Sequence, residues 1–426
     1  MAIISPLRNN KILLKGGLFS LFSFFNQGVG FLLLIILAKY IVPAEYGTLS
    51  LFNTIVTFLG FLVSLSTNGY VSVSFFRKSR DEFRQSLSIV FLITFAVASF
   101  FALVLLVGNS ALARMTELRL AFLWSALAIA LMNCYFQIVL DYFRIREKLI
   151  FYGLLSCSFA IVNFAISLLL VVAMKLGWEG RIYAQVTCAV LYGLIAIYVC
   201  CRYRLFLFKG ISWFKIRPIL MWGVPLIPHL ATSWIKQGGD RYIINYYYTF
   251  AEVGIFSFAL NLSNIIDMIG SAFNQTNSVS IYQVLSSNLD DKWERLQRQT
   301  KAIFIVYTIG VVAVLAVCSI LIPLVLPRYA ASLPYFYLLA LSGYFQCIYF
   351  LYTNYLFYYD KTKDLMMITF FSSLLHLMLS MWLTQYSLYY TCLIYVFLKF
   401  IMVALVVYRA CLLYTSPSPR DAHESR

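Results

Sequence analysis

Charged side chains are what this sequence has least of. Asp, Glu, Lys and Arg make up 12% of its 426 residues, about half the share of an ordinary water-soluble domain. Apolar residues fill the gap at 62%, with a mean hydropathy of +0.82, and no polar stretch between the apolar runs is long enough to fold as a soluble domain. Histidine numbers three, and none lies in a Ser or Cys nucleophile pattern. A glycine-rich phosphate loop is missing too, so nothing points to nucleotide-driven transport. Cys411 apart, the cysteines fall inside or at the ends of apolar runs without metal-ligand spacing and read as small apolar fillers. These absences predict a protein that is not an enzyme, carries no metal or cofactor and has no nucleic-acid partner.

What the chain has is apolar sequence in repeated runs. Twelve stretches approach the ~20 residues a helix needs to cross hydrocarbon: 16–38, 47–66, 87–107, 120–140, 149–174, 182–201, 217–239, 251–272, 302–326, 331–356, 365–384 and 388–409. Such lengths predict helices and not barrel strands, and hence an all-α, polytopic membrane protein. No A-x-A-like cleavage site follows the first run, which reads as a retained helix. Lys and Arg then set the orientation. With the N-terminus inside, the inner connections and helix ends hold twenty-two of them, including Arg77, Arg144, Arg146, Lys148, Arg202, Lys292 and Lys361. The outer ones hold eight: Lys39, Arg114, Arg119, Lys175, Arg181, Lys236, Arg241 and Arg328. The inner side of a membrane protein carries the excess, so the N-terminus is expected to be cytoplasmic.

Residues 411–426, CLLYTSPSPRDAHESR, break the pattern abruptly. Cys411 to Asp421 back-translates onto a transposase adapter used in sequencing libraries, and the segment is expected not to be native protein. The remainder divides into two lobes of six runs each, 1–205 and 206–410. A weak repeat supports the division: Ala44-Glu45-Tyr46-Gly47-Thr48-Leu49-Ser50 and Ala251-Glu252-Val253-Gly254-Ile255-Phe256-Ser257 both follow the first run of their lobe. An even number of helices per lobe predicts that the lobes are related by an axis along the membrane normal. Gly47 and Gly254 would serve the tight turn into the second helix of each lobe. On the inner side, the stretch 288–304 carries Leu289, Trp293 and Leu296 at helical spacing and reads as an interfacial amphipathic helix lying on anionic lipid.

Polar and helix-breaking residues inside apolar runs are costly, and so they are the informative ones. The seventh run carries Gly223, Pro225 and Pro228, which weaken its hydrogen-bond ladder, then His229, and near its outer end Lys236, Asp240 and Arg241. Its counterpart, the first run, carries Gly28 and Gly30 beside Asn26 and Gln27. Interrupted helices at matching places in two halves point to a transport pathway. Lys236 and Asp240, four apart, share a helix face and are expected to pair. Asp267 lies deeper, in the eighth run, with no base adjacent in sequence; it is expected to meet a cation or to hold a proton. Together Asp240, Asp267 and His229 are the candidates for ion coupling, and Lys399 for a snorkelling cation.

The run Leu37-Ala38-Lys39-Tyr40-Ile41-Val42-Pro43-Ala44-Glu45-Tyr46-Gly47 resembles the first outer loop of the polysaccharide transporter family, flippases for lipid-linked oligosaccharides such as O-antigen units. Gly223-Val224-Pro225-Leu226, Asp240-Arg241-Tyr242-Ile243-Ile244 and Val253-Gly254-Ile255-Phe256 are similar to the opening of that family's second half, and Arg144-Ile145-Arg146 follows the fourth run. Val253 departs from the pattern, standing where the first copy has Tyr46. The resemblance spans residues 10–410 and places the chain in the multidrug/oligosaccharidyl-lipid/polysaccharide exporter superfamily. It implies two lobes around a cavity that opens alternately to each side of the bacterial inner membrane. The implied cargo is a polyprenyl pyrophosphate-linked oligosaccharide, with Lys39, Lys236 and Arg241 offering charge-assisted hydrogen bonds to its phosphates. Anionic lipids and other polysaccharide assembly proteins are the further partners it implies. Two alternatives stay open: an ion-coupled exporter of organic cations on the same fold, which would favour carboxylates in the cavity, and an outer-face glycan polymerase or ligase, which the short outer connections disfavour.

Overall fold

The computed structural model describes residues 6–287, 291–359 and 361–415. Among them there are sixteen α-helices and no strand. They are α1 (Pro6–Tyr40), α2 (Pro43–Ser64), α3 (Asn68–Arg77), α4 (Arg80–Val107), α5 (Asn109–Thr116), α6 (Leu120–Ile145), α7 (Leu149–Leu168), α8 (Gly177–Arg202), α9 (Trp213–Gly223), α10 (Ile227–Trp234), α11 (Asp240–Tyr247), α12 (Phe250–Leu285), α13 (Lys292–Val325), α14 (Leu333–Tyr358), α15 (Thr362–Leu383) and α16 (Leu388–Thr415). Eleven helical stretches among the described residues are long and apolar enough to cross a bilayer, and they coincide with eleven of the twelve runs read from the sequence. The exception is 217–239, which is built from short pieces.

The helix starts explain the internal repeat. The carboxylate of Glu45 accepts the backbone N–H of Val42 at 3.4 Å, just ahead of α2. The Glu252 carboxylate accepts that of Thr249 at 3.2 Å, just ahead of α12. Each Glu is the third residue of its helix and satisfies a donor the helix cannot pair, while adding negative charge at the positive end of the dipole. Gly47 and Gly254, the other shared residues, are both buried in the second turn. Many helical hydroxyls return to their own backbone, as Thr94 does to Val90 O and Ser125 to Ala121 O, which satisfies those donors in an apolar setting.

The described chain forms two compact units that divide between Trp234 and Ile235. In the first, Phe83, Leu87, Val90 and Phe91 of α4 pack on Tyr135, Ile138 and Tyr142 of α6 and on Ala196 and Cys200 of α8. In the second, Ile281 and Leu285 of α12 pack with Leu296 of α13, Tyr355 and Leu356 of α14 and Val406 of α16. The sequence suggests a lobe boundary at 205/206, but the connection after α8 is fastened to α4. Leu207 N donates to Ser88 Oγ at 2.7 Å, Arg84 donates to Phe206 O, and Gln85 donates to Lys209 O.

One expectation is corrected here. The stretch after 291 is not a separate interfacial helix but the first turns of α13, a 34-residue helix that runs on to Val325. Leu296 is buried and Trp293 packs against the same cluster, so their helical spacing seats α13 on α12 and α14. Gln299 fastens the two helices, donating to Asn277 Oδ1 at 2.6 Å while its own oxygen accepts from Ser280 at 3.3 Å. Leu289 lies outside the described residues.

Candidate functional site

The seventh run is where the helical ladder fails. After α9 come a 3-10 turn at Val224–Leu226, α10, a π-helical turn at Ile235–Gly239 and then α11. Pro225 sits in the 3-10 turn and Pro228 is the second residue of α10; neither has an N–H to give to the ladder. Gly223, the last residue of α9, is needed for packing as much as for flexibility, because a side chain there would strike the Leu65 carbonyl and Thr67. That surface is the bend between α2 and α3, where Leu65 and Ser66 hold φ of 44° and 56°. By contrast α1 is continuous from Pro6 to Tyr40, so the interruption expected at Gly28 and Gly30 is not there. Glycine weakens a helix by about 1 kcal/mol relative to alanine but keeps its N–H, and a long helix absorbs that.

Asp240 is the first residue after the π turn and is 1% exposed. Its carboxylate is held from α15: His376 Nε2 stands 2.7 Å from Oδ2, and Ser380 donates to Oδ1 at 2.5 Å. The hydroxyls continue, Ser380 to Thr384 at 3.4 Å and Thr384 to Thr391 of α16 at 2.8 Å. All three are fully buried, and His376 is 2% exposed. His376, Ser380 and Thr384 recur every fourth residue and so line one face of α15. The ring of Tyr395 in α16 meets His376 edge on, with centroids 4.7 Å apart, and fixes the imidazole plane. Taking a carboxylate out of water costs several kcal/mol unless it is paired and hydrogen-bonded, and here both oxygens have a donor.

The other expected site residues are placed as follows. Arg241 turns to α12 and donates from Nε to the buried Ser257 Oγ at 3.0 Å. Asp267 lies within α12, where its Oδ1 is buried with no hydrogen-bond partner, over the bare face of Gly343. Its electrostatic partner comes from another helix, for Lys399 of α16 faces it and donates to Gln346 of α14. Lys39 is exposed in the last turn of α1, a favourable place for a cation. The side chains of Lys236 and His229 lie outside the described residues. Asp240 is held from α15, a partnership that no spacing within its own segment predicts, and the expected pairing with Lys236 lies outside the described residues. His376, Ser380, Thr384 and Thr391 were passed over by reading for nucleophiles. The signal was the polar stripe at every fourth residue of an otherwise apolar helix.

A bundle of long apolar helices with a seventh segment broken into short pieces and a buried acid at the break defines a polytopic membrane protein with the architecture of a carrier. Residues 13–279 match the family model described as polysaccharide biosynthesis protein, and the chain belongs to that family, which bears out the resemblance read from its motifs. The Lsg locus protein 1 of Haemophilus influenzae is 21% identical over 354 residues, 79% of this chain and 82% of that protein. Among solved structures, the lipid II flippase MurJ in an inward closed conformation superposes with a TM-score of 0.72 at 15% identity, covering 94% of this chain and 88% of that one. An inward-facing multidrug resistance MATE transporter of the MOP superfamily gives 0.70 at 12% identity, covering 92% and 96%. At these identities the two structures establish a shared fold.

Proposed function

We propose that this protein is a flippase that carries polyprenyl pyrophosphate-linked oligosaccharide units across the bacterial inner membrane by alternating access, for surface polysaccharide assembly. The observation that carries the reading is the Asp240–His376–Ser380 cluster at the break of the seventh segment. A family tied to polysaccharide biosynthesis needs its lipid-borne intermediates moved, and the fold shared with a lipid II flippase supports that cargo class. In this reading Asp240 and His376 form the coupling pair. An ion or proton taken up between them changes the charge on α15 and at the flexible seventh segment together, and so biases one lobe conformation over the other. Lys39, Lys236 and Arg241 meet the pyrophosphate, and the N-terminus is cytoplasmic, as the distribution of Lys and Arg supports. Movement of an intact lipid makes and breaks no covalent bond, so no nucleophile or metal is required.

The test is a deletion strain complemented with Asp240→Asn, Lys236→Ala and Arg241→Ala variants and assayed for surface glycan and for lipid-linked intermediates on the cytoplasmic face. The expected result is loss of glycan with accumulation of the intermediate. Normal export from all three variants at normal protein levels sinks the assignment. A deletion strain with intact glycan and lost resistance to cationic dyes would favour the organic-cation exporter instead. Asp267, a buried carboxylate with an unpaired oxygen, is the feature that suits that cargo, although Lys399 opposes it.

A further inference from the structure

The first unit has an open cavity of about 420 Å³ between α1, α6 and α7, within the ~300–1,000 Å³ of small-molecule sites. In a chain of formal charge +16, none of the described residues lining this cavity is charged. Instead four amides converge there, Asn26, Asn133, Gln137 and Asn163, beside the rings of Phe136 and Phe159. Charged neighbours outside the cavity fix which end of two amides looks in. Arg181 donates to Asn163 Oδ1 and to Ser167 Oγ, both at 2.7 Å, which leaves the Asn163 NH₂ for a ligand. Gln137 gives its NH₂ to Asp141 at 3.3 Å, Asp141 being held by Arg144 at 2.7 Å, which leaves the Gln137 oxygen. Asn26 Oδ1 is buried with no hydrogen-bond partner at all, an arrangement that a folded protein keeps only with a reason. Phe136 and Phe159 are stacked with centroids 5.1 Å apart and are braced by Tyr192, so the aromatic wall is rigid before any ligand arrives.

From this we infer that the cavity is a binding site for a neutral sugar residue of the cargo, separate from whatever holds the pyrophosphate. Ligand hydroxyls both give and accept hydrogen bonds, which matches fixed amide donors and acceptors of both kinds, and the C–H face of a sugar ring suits an aromatic wall. A phosphate would find no cation here, and a polyprenyl tail would leave the amides unsatisfied. Position agrees. The lining spans the last half of α6 and Tyr152–Asn163 of α7, from near the end that bears Arg144, Arg146 and Lys148 to mid-helix, where Arg181 holds Asn163, so a sugar entering from either face can reach it.

The inference rests on the flippase reading, and the test separates the two. Purified full-length protein is titrated with bare polyprenyl pyrophosphate and with lipid-linked oligosaccharide extracted from the producing strain. The wild type should prefer the sugar-bearing lipid by about tenfold or more, the worth of one or two hydrogen bonds. Gly30→Leu and Asn163→Leu should erase that preference and leave affinity for the bare lipid unchanged. A Cβ at Gly30 meets nothing within 4 Å, and leucine is a better helix former than glycine, so Gly30→Leu fills the cavity without disturbing the fold. As an independent measure, a Gly30→Cys thiol should be alkylated more slowly in the presence of the delipidated oligosaccharide but not of inorganic pyrophosphate. Equal affinity of the wild type for both lipids, a preference that survives substitution, or alkylation indifferent to oligosaccharide each overturns the sugar site and leaves the flippase reading standing. Binding of neither lipid overturns both.

Discussion

At the scale of single residues, a buried acid held by a histidine and a serine raises the question whether the arrangement serves stability or transport. The physics of buried pairs separates the two. Removing one member leaves an uncompensated polar group and is expected to cost about 3–5 kcal/mol, whereas replacing both by apolar residues of similar size is often neutral. His376→Leu and Asp240→Leu should therefore each lower the melting temperature in detergent sharply, and the double variant should recover most of the loss. If the pair couples transport, the double variant will be stable and yet export no glycan. Export by the stable double variant would reduce the cluster to a structural fastening. Ser380→Ala should be milder, about 1–3 kcal/mol, the cost of leaving one acceptor of Asp240 unpaired.

At the scale of elements, the seventh segment has a ladder interrupted by the 3-10 turn that holds Pro225, by Pro228 just after it and by the π turn. Pro225→Ala and Pro228→Ala restore N–H donors and are expected to raise helical stability while slowing export, measured as glycan appearance after induction. Unchanged export with both substitutions would mean that the break does not flex in the cycle. The break was legible in the sequence because proline acts through its own covalent structure. So were eleven long helices, because the requirement for some twenty apolar residues is local. Glu45 and Glu252 were legible as a repeat, though their capping role needed the backbone. What escaped was of a different kind. His376 meets Asp240 from 136 positions further along the chain, and Lys399 meets Asp267 from four helices later. No spacing rule reaches over such separations. The expected break at Gly28 and Gly30 failed for the opposite reason: local weakness in α1 is overridden by a helix of 35 residues.

At the scale of the whole molecule, the orientation makes a prediction of its own. A cysteine placed at Lys148 should react with an impermeant maleimide only after the inner face is opened, and one at Arg328 should react in intact cells. The reverse pattern would invert the topology. The α12–α13 pair adds something at this scale. At ~1.5 Å per residue, helices of 36 and 34 residues run to ~50 Å, against a hydrocarbon layer of ~30 Å. The surplus is no loose arm: Gln299 ties α13 to α12, and Ile281, Leu285 and Leu296 pack on Tyr355 and Leu356 of α14 and Val406 of α16. A binder raised against this end therefore holds four helices of the second unit at once.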